Sequence, residues 1–495
     1  MSFNSIQFLL FFPIVAIFYF AIPHKVRLVW LLIASYFFYM CWNPKYVLLI
    51  ATSTIITYVG GLLMGKAKEI KDEKQSIKIS KLLLFLSIFS NLGILFMFKY
   101  YNFFSTILKE LFSYFHISIN MPLFDHLLPI GISFYTFQAL SYVIDVYRND
   151  VKVERNLVKY ALFVSFFPQL IAGPIQKSKN YLHQIDEKHH FDYDRVKNGL
   201  LLMLWGYFQK VIIADRLGQF VNTVFDNPAK YKGFEVIIAV VFYAFQIYCD
   251  FSSLSDIAVG AAEVMGFKLS KNFERPYFSK SIKEFWTRWH MSLTYWFMDY
   301  LYFPLGGSRC SKLRTYFNVM VVFVVSGLWH GAALTFVIWG ALHGIYHITG
   351  NLLKPIKKNF IKTLKIKTNV FSYKLIQVLI TFALVDFAWI FFRANSFKDA
   401  ITLIRNMTYF NPWVFTDGSI YKLGLDPLNF LVALLGICAI LAVNLLQRTR
   451  NLRSELCRKN MEFRWFVYLT FVVGILMLGI YGDQYAPQNF IYTQF

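Results

Sequence analysis

The chain has 495 residues, 57% of them hydrophobic and only 16% charged, with 54 Phe, 31 Tyr and 11 Trp. Its mean hydropathy is +0.46, whereas a water-soluble domain is nearer half apolar and a quarter charged; the composition excludes a soluble fold and predicts an all-α polytopic membrane protein. The formal charge of +22 does not argue for nucleic acid, because Lys and Arg gather in short loops between apolar runs, as in the cytoplasmic loops of membrane proteins.

A membrane-spanning helix needs about 20 apolar residues. Residues 6–22, 29–42 and 46–64 are predicted as three crossings, and no Lys or Arg precedes the first, so it reads as a retained span. The basic stretch 66–81 is predicted to be cytoplasmic, which puts the N-terminus outside. Residues 82–98 cross outward, the aromatic stretch 100–126 lies at the interface, and 127–144 crosses back. The apolar stretch 161–172 is too short to span and contains Pro168. It is predicted as a re-entrant element, which a membrane tolerates only where protein covers it or it lines a cavity. Residues 177–197, with His183, His189 and His190, read as a surface loop.

Residues 199–214 and 236–249 are the next two crossings. The small-residue segment after Asp250 suits close helix packing. Residues 316–329 and 332–348 form a hairpin into the membrane and back. The basic stretches 268–314, 354–374 and 448–464 are predicted to be cytoplasmic, with crossings at 375–392, 428–446 and 466–481. The tail, GDQYAPQNFIYTQF, has no Lys or Arg and is predicted to be external. The total is about 12 crossings in a single membrane domain, residues 1–495, without an internal repeat. The cysteines, Cys41, Cys249, Cys310, Cys438 and Cys457, are odd in number and form no C-x-x-C, so no disulfide framework is expected.

Two histidines stand out. Within 281–297, Phe285, Trp289, Leu293 and Trp296 recur at three- or four-residue spacing and predict an amphipathic interfacial helix. His290 lies on it between Trp286 and Leu293, either as an interfacial histidine or as a functional one. His330 ends an apolar run. A helix from Arg314 would rise roughly 24 Å to it, and ionisable groups at such depth mark pathways or sites. Gly327 and Gly331 would let a substrate or another helix come close. An imidazole is suited to deprotonating a hydroxyl; the alternative is a histidine bonded to a neighbouring helix.

His343 and His347, four apart, could suggest a metal site with His330, but no zincin glutamate or nearby cysteine accompanies them. No metal is expected, and a polar packing role is. Asp250, Asp256, Glu263 and Asp386 lie in or beside apolar runs; Asp386 could face a cavity or pair with a histidine or Arg393. There is no G-x-S-x-G, P-loop or dinucleotide fingerprint, and no inverted repeat of the kind that marks many transporters.

The stretches LPIGISFYTFQALSYVIDVYR from Leu128, AGPIQ from Ala172, QIYCDFSSLSDIAVG from Gln246, NFERPYFSKSIKEFWTRWHMSLTYWF from Asn272, DYLYFPLGG from Asp299, SGLWHGAALTFVIWGALHG from Ser326 and WIFFRA from Trp389, with the tail NFIYTQF, resemble the membrane-bound O-acyltransferase superfamily in its alginate O-acetylation branch. The chain departs from that pattern at Ser253-Leu254 and at Met298. The resemblance implies a ring of helices around a central tunnel, with residues 272–344 as the catalytic core. It implies His330 as the catalytic histidine, His290 as a second functional one, and no bound cofactor. The implied donor is an acyl thioester on the cytoplasmic side, acetyl-CoA in this branch. The implied partners are an extracytoplasmic SGNH-type acetyltransferase and a polysaccharide acceptor, in a bacterial cytoplasmic membrane with both termini outside. Trp286, Trp289, Trp329, Asp250 and Asn272 are the expected tunnel lining. A sister branch moves D-alanine from a carrier protein toward teichoic acid; a transporter or a non-catalytic scaffold would share the hydropathy.

Overall fold

The computed structural model describes residues 1–118, 120–124, 129–171, 173–481 and 490, and the regular elements among them are all helices. The predicted start of a helix at 127–128, the predicted end of the re-entrant element at 172 and nearly all of the tail lie outside the described residues. Among the described residues six helices are long and apolar enough to cross a membrane: Pro44–Ala67, Glu73–Tyr114, Phe234–Met265, Phe371–Arg393, Pro427–Leu446 and Met461–Leu478. Ile6–Ala21 is apolar but shorter. Others that the sequence counts as crossings, such as Lys312–His330 and Leu334–Leu352, are long enough but carry polar groups that face protein.

The chain divides into two compact units, Met1–Leu200 with Ile257–Ser270, and Leu201–Asp256 with Lys271–Phe495. In the first unit the helices are drawn together by small residues and hydrogen bonds, the forces left when lipid is as apolar as the side chains. A Cβ on Gly60 would fall 2.3 Å from Ser87 Oγ, and one on Gly61 2.7 Å from the Tyr142 ring. Ser53 donates to Asn91, and Tyr160 donates to Thr57 at 2.7 Å. Glu73–Tyr114 runs on without a break where the sequence suggested a span and then an interfacial stretch; it passes a wide π-turn at Phe96–Tyr100. The segment predicted as re-entrant is a helix, Leu157–Ser165, followed by one turn, Phe167–Leu170. Residues 160–171 are all buried. Gln138 and Gln169 both donate to the Phe163 carbonyl, so protein covers this irregular backbone, as lipid requires. The stretch read as a surface loop contains the helix Ser178–Asp186, and His189 is buried, with Arg27 donating to its carbonyl at 2.6 Å. His183 and His190 are exposed.

The second unit holds both singled-out histidines. Its helix Phe234–Met265 continues for 32 residues, well past the predicted end at 249, and passes into the first unit after Asp256. The predicted hairpin is present as Lys312–His330 and Leu334–Leu352. Ser311 caps its first helix by accepting from Arg314 N, and Asn318 Nδ2 closes the preceding Gly306-Gly307 turn through the Leu305 and Gly307 carbonyls, both at 3.1 Å. A Cβ on Gly327 would meet the Phe336 carbonyl oxygen at 2.2 Å, and one on Gly340 the Phe323 carbonyl oxygen at 2.3 Å. The glycine clearance beside His330 is therefore taken up by the returning helix.

Candidate active site

Residues 281–297 do not form one amphipathic helix. Ile282–Trp286 is capped by Ser281, which accepts from Glu284 N. The chain then breaks, and a second short helix, Met291–Phe297, begins after His290. His290 sits at φ 41° and ψ 53°, the left-handed region, which costs a non-glycine residue roughly 1–2 kcal/mol. Asn272 holds it there. Its carbonyl accepts from Met291 N at 2.9 Å, and its side-chain oxygen accepts from Ser292 Oγ at 2.6 Å and Ser292 N at 3.4 Å. The orphan N–H groups of the new helix are thus capped from another strand of chain. His290 is fully buried, which corrects the interfacial expectation: the break turns it inward.

His330, at the end of the first hairpin helix, is 2% exposed. The two imidazole centroids lie 6.0 Å apart. Around His330 stand Trp329 at 5.0 Å, Trp339 at 5.1 Å and Phe392 at 5.4 Å. Around His290 stand Phe251 at 4.6 Å and Trp329 at 5.7 Å. The structure so brings together His330, His290, Trp329 and, through its cap, Asn272. Trp339, Phe392 and Phe251 complete the wall and escaped sequence reasoning, although Phe392 lies in the quoted WIFFRA and Trp339 in FVIWGALHG.

Trp286 and Trp289 are buried and do not form an exposed surface. Trp289 stacks on Phe285 at 5.5 Å and packs against Trp389 at 5.1 Å. Trp286 Nε1 donates to His343 Nδ1 at 3.2 Å, and His347 Nδ1 lies 3.3 Å from Asn351 Nδ2. His343 thus joins its helix to Ile282–Trp286, whereas the His347 contact lies within its own helix. Among the described residues no three His, Cys, Asp or Glu side chains are grouped to hold a metal. Leaving one partner of a buried hydrogen bond unsatisfied costs about 1–3 kcal/mol, while removing both can be nearly neutral. His343→Phe and Trp286→Phe are therefore expected each to lower thermal stability in detergent, and the double variant to lose clearly less than the sum. Strict additivity in the melting curves would remove the hydrogen bond from this account.

Asp250 is engaged elsewhere. Lys210 Nζ donates to Asp250 Oδ1 at 2.6 Å and lies 2.8 Å from Asp215 Oδ1. Next to it, Gln209 Nε2 donates to Asp256 Oδ2 at 2.8 Å, and Ser252 donates to Gln209. Consecutive residues reach the same helix because Phe208–Ala214 is a wide π-turn. Asp250 is thus an ion-pair partner, one residue before the Phe251 ring that faces His290. Asp386 is 7% exposed, and its Oδ1 has no hydrogen-bond partner among the described residues. Arg393 does not pair with it, but donates to Asp226 at 2.9 Å and Asn222 at 2.7 Å.

The two imidazoles thus lie together among buried tryptophan and phenylalanine rings, with His330 at the C-terminal end of its helix. The sequence matches the MBOAT, membrane-bound O-acyltransferase, family over residues 151–392. It is 35% identical to the probable alginate O-acetylase AlgI of Pseudomonas putida across all of both chains. It is 37% identical to the protein of that name from Pseudomonas aeruginosa, over 84% of this chain and 76% of the relative. It is 34% identical to a peptidoglycan O-acetyltransferase of Helicobacter pylori, over 77% of this chain and 74% of the relative.

Proposed function

The chain belongs to the membrane-bound O-acyltransferase family and is an integral membrane O-acyltransferase, and we propose that it passes an acetyl group from cytoplasmic acetyl-CoA toward an extracytoplasmic polysaccharide, with His330 as the base. The observation that carries this reading is the enclosure itself: His330 and His290, 40 positions apart in sequence, with ring centroids 6.0 Å apart behind a wall of tryptophan and phenylalanine. The named relatives act on alginate and on peptidoglycan, so the acceptor is taken to be a carbohydrate hydroxyl at the cell surface, reached directly or through an extracytoplasmic SGNH-type acetyltransferase. On this reading the protein lies in a bacterial cytoplasmic membrane with both termini outside.

In the step itself, the acceptor oxygen forms a bond to the thioester carbonyl carbon as His330 takes the hydroxyl proton. The carbon–sulfur bond then breaks, and the thiolate leaves with the proton returned from the imidazolium, giving an ester and a free thiol. Excluding water from the enclosure limits hydrolysis and strengthens the electrostatics within it. His290 faces the same space and is assigned to orienting the acyl group.

The test is acetyl transfer by the full chain in proteoliposomes with labelled acetyl-CoA and an oligosaccharide acceptor, read by mass spectrometry. Wild type should form O-acetyl ester. His290→Asn keeps a residue that tolerates the left-handed backbone but removes the imidazole, and should lose about tenfold, well short of the loss from a missing base. No ester with wild-type protein, even with an SGNH-type acetyltransferase supplied on the acceptor side, while the thioester stays intact, would count against acyl transfer altogether. Full activity in His290→Asn would leave that histidine a packing residue.

A further inference from the structure

We propose that the helix Lys354–Thr363 is an anionic-lipid docking element, lying in the headgroup layer between two membrane helices. It follows directly on Leu334–Leu352 and precedes Phe371–Arg393. None of its residues is buried. Leu353, Ile356, Phe360 and Leu364 recur at helical spacing and share one face. They are 49%, 63%, 59% and 57% exposed. Lys354, Lys357, Lys358 and Lys362 flank that stripe, and Lys365 and Lys367 follow. From Gly350 to Val385 there is no Asp or Glu. Among the described residues, none of the four helix lysines forms an ion pair.

A ten-residue helix in water is marginal by itself, and among the described residues no protein surface buries its apolar stripe. The stripe and the lysines together select the occupant. A free phosphate compound would satisfy the ammonium groups but leave the apolar side chains in water. A phospholipid layer satisfies both: the apolar stripe sinks among acyl chains while the lysine stems reach up to phosphate. Each lysine near an anionic membrane surface adds roughly fivefold to the affinity, so lipid charge should control how firmly the helix is seated. Seating it fixes the connection between the helix that follows His330 and the helix that carries Trp389 and Phe392.

The experiment is hydrogen exchange of the full chain in nanodiscs, followed by mass spectrometry of peptides spanning 356–364. Wild type in discs containing phosphatidylglycerol should exchange there at least about tenfold more slowly than in pure phosphatidylcholine. The Lys354→Gln, Lys357→Gln, Lys358→Gln, Lys362→Gln variant should lose that difference, while peptides from Pro427–Leu446 stay unchanged. Equal exchange of wild type in the two lipids would overturn the proposal. So would protection in pure phosphatidylcholine on adding coenzyme A, which would make the lysines a nucleotide phosphate site, or on adding an acidic carrier protein, which would make the helix a protein dock.

Discussion

His330→Gln is expected to abolish acetyl transfer while the protein still accumulates in the membrane. Glutamine is close to histidine in bulk and keeps hydrogen-bonding capacity, so the packing against Trp329, Trp339 and Phe392 is disturbed little. It cannot accept a proton near neutral pH. General-base catalysis contributes about 10²–10⁴-fold, so the residual rate should fall by at least about a hundredfold in the proteoliposome assay. The measurement must be paired with membrane level and a melting curve, because only a folded variant speaks about chemistry. Near-normal acetylation by folded His330→Gln would sink the mechanism and make the imidazole a packing group.

The second large effect is on stability. Lys210→Met should destabilise the second unit by about 3–5 kcal/mol, the usual consequence of removing one partner from a buried ionic cluster. Lys210 is buried completely, and Asp250 is 3% exposed. Its ammonium also stands 4.2 Å from the Phe490 ring, so the loss combines ionic and cation–π contacts. Methionine preserves most of the volume, which isolates the charge. The companion variant, with Asp215 and Asp250 also made leucine, should recover much of the loss, since a matched apolar replacement is often neutral. Thermal inactivation in detergent reads both. A Lys210→Met protein as stable as wild type would show that the cluster is not holding this part of the fold.

What could be read from the sequence was what depends on local pattern. The hairpin around His330 followed from two apolar runs and the Trp-His-Gly between them. The break before His290 did not, because Phe285, Trp289, Leu293 and Trp296 keep their helical spacing across it. The cap that makes the break possible comes from Asn272, and nothing in local periodicity reports a contact from another strand of chain. The glycines beside His330 signal close approach, but their pattern cannot say whether substrate or helix arrives; it is Phe336, its carbonyl against Gly327 and its ring against Gly331. Lys210 was passed over inside the run 199–214, where a lone lysine among apolar residues was read as part of a crossing. Its partners are set by a π-turn, and an apolar run does not announce a change of helical pitch.

That π-turn also bears on which lengths this chain can tolerate. A π-turn holds one residue more than the α-helical path requires. Deleting a single residue within Phe208–Ala214 would let an ordinary helix close without any loss of backbone hydrogen bonds. Yet each residue turns the helix by about 100°, so everything before the deletion would swing around relative to everything after it. Lys210 and Gln209 would then no longer both point at Asp250 and Asp256. Insertions and deletions should accordingly be accepted in loops such as 447–450, where every residue is exposed, and rejected here. Among related sequences, the length of this stretch should be held more strictly than the identity of most of its apolar residues.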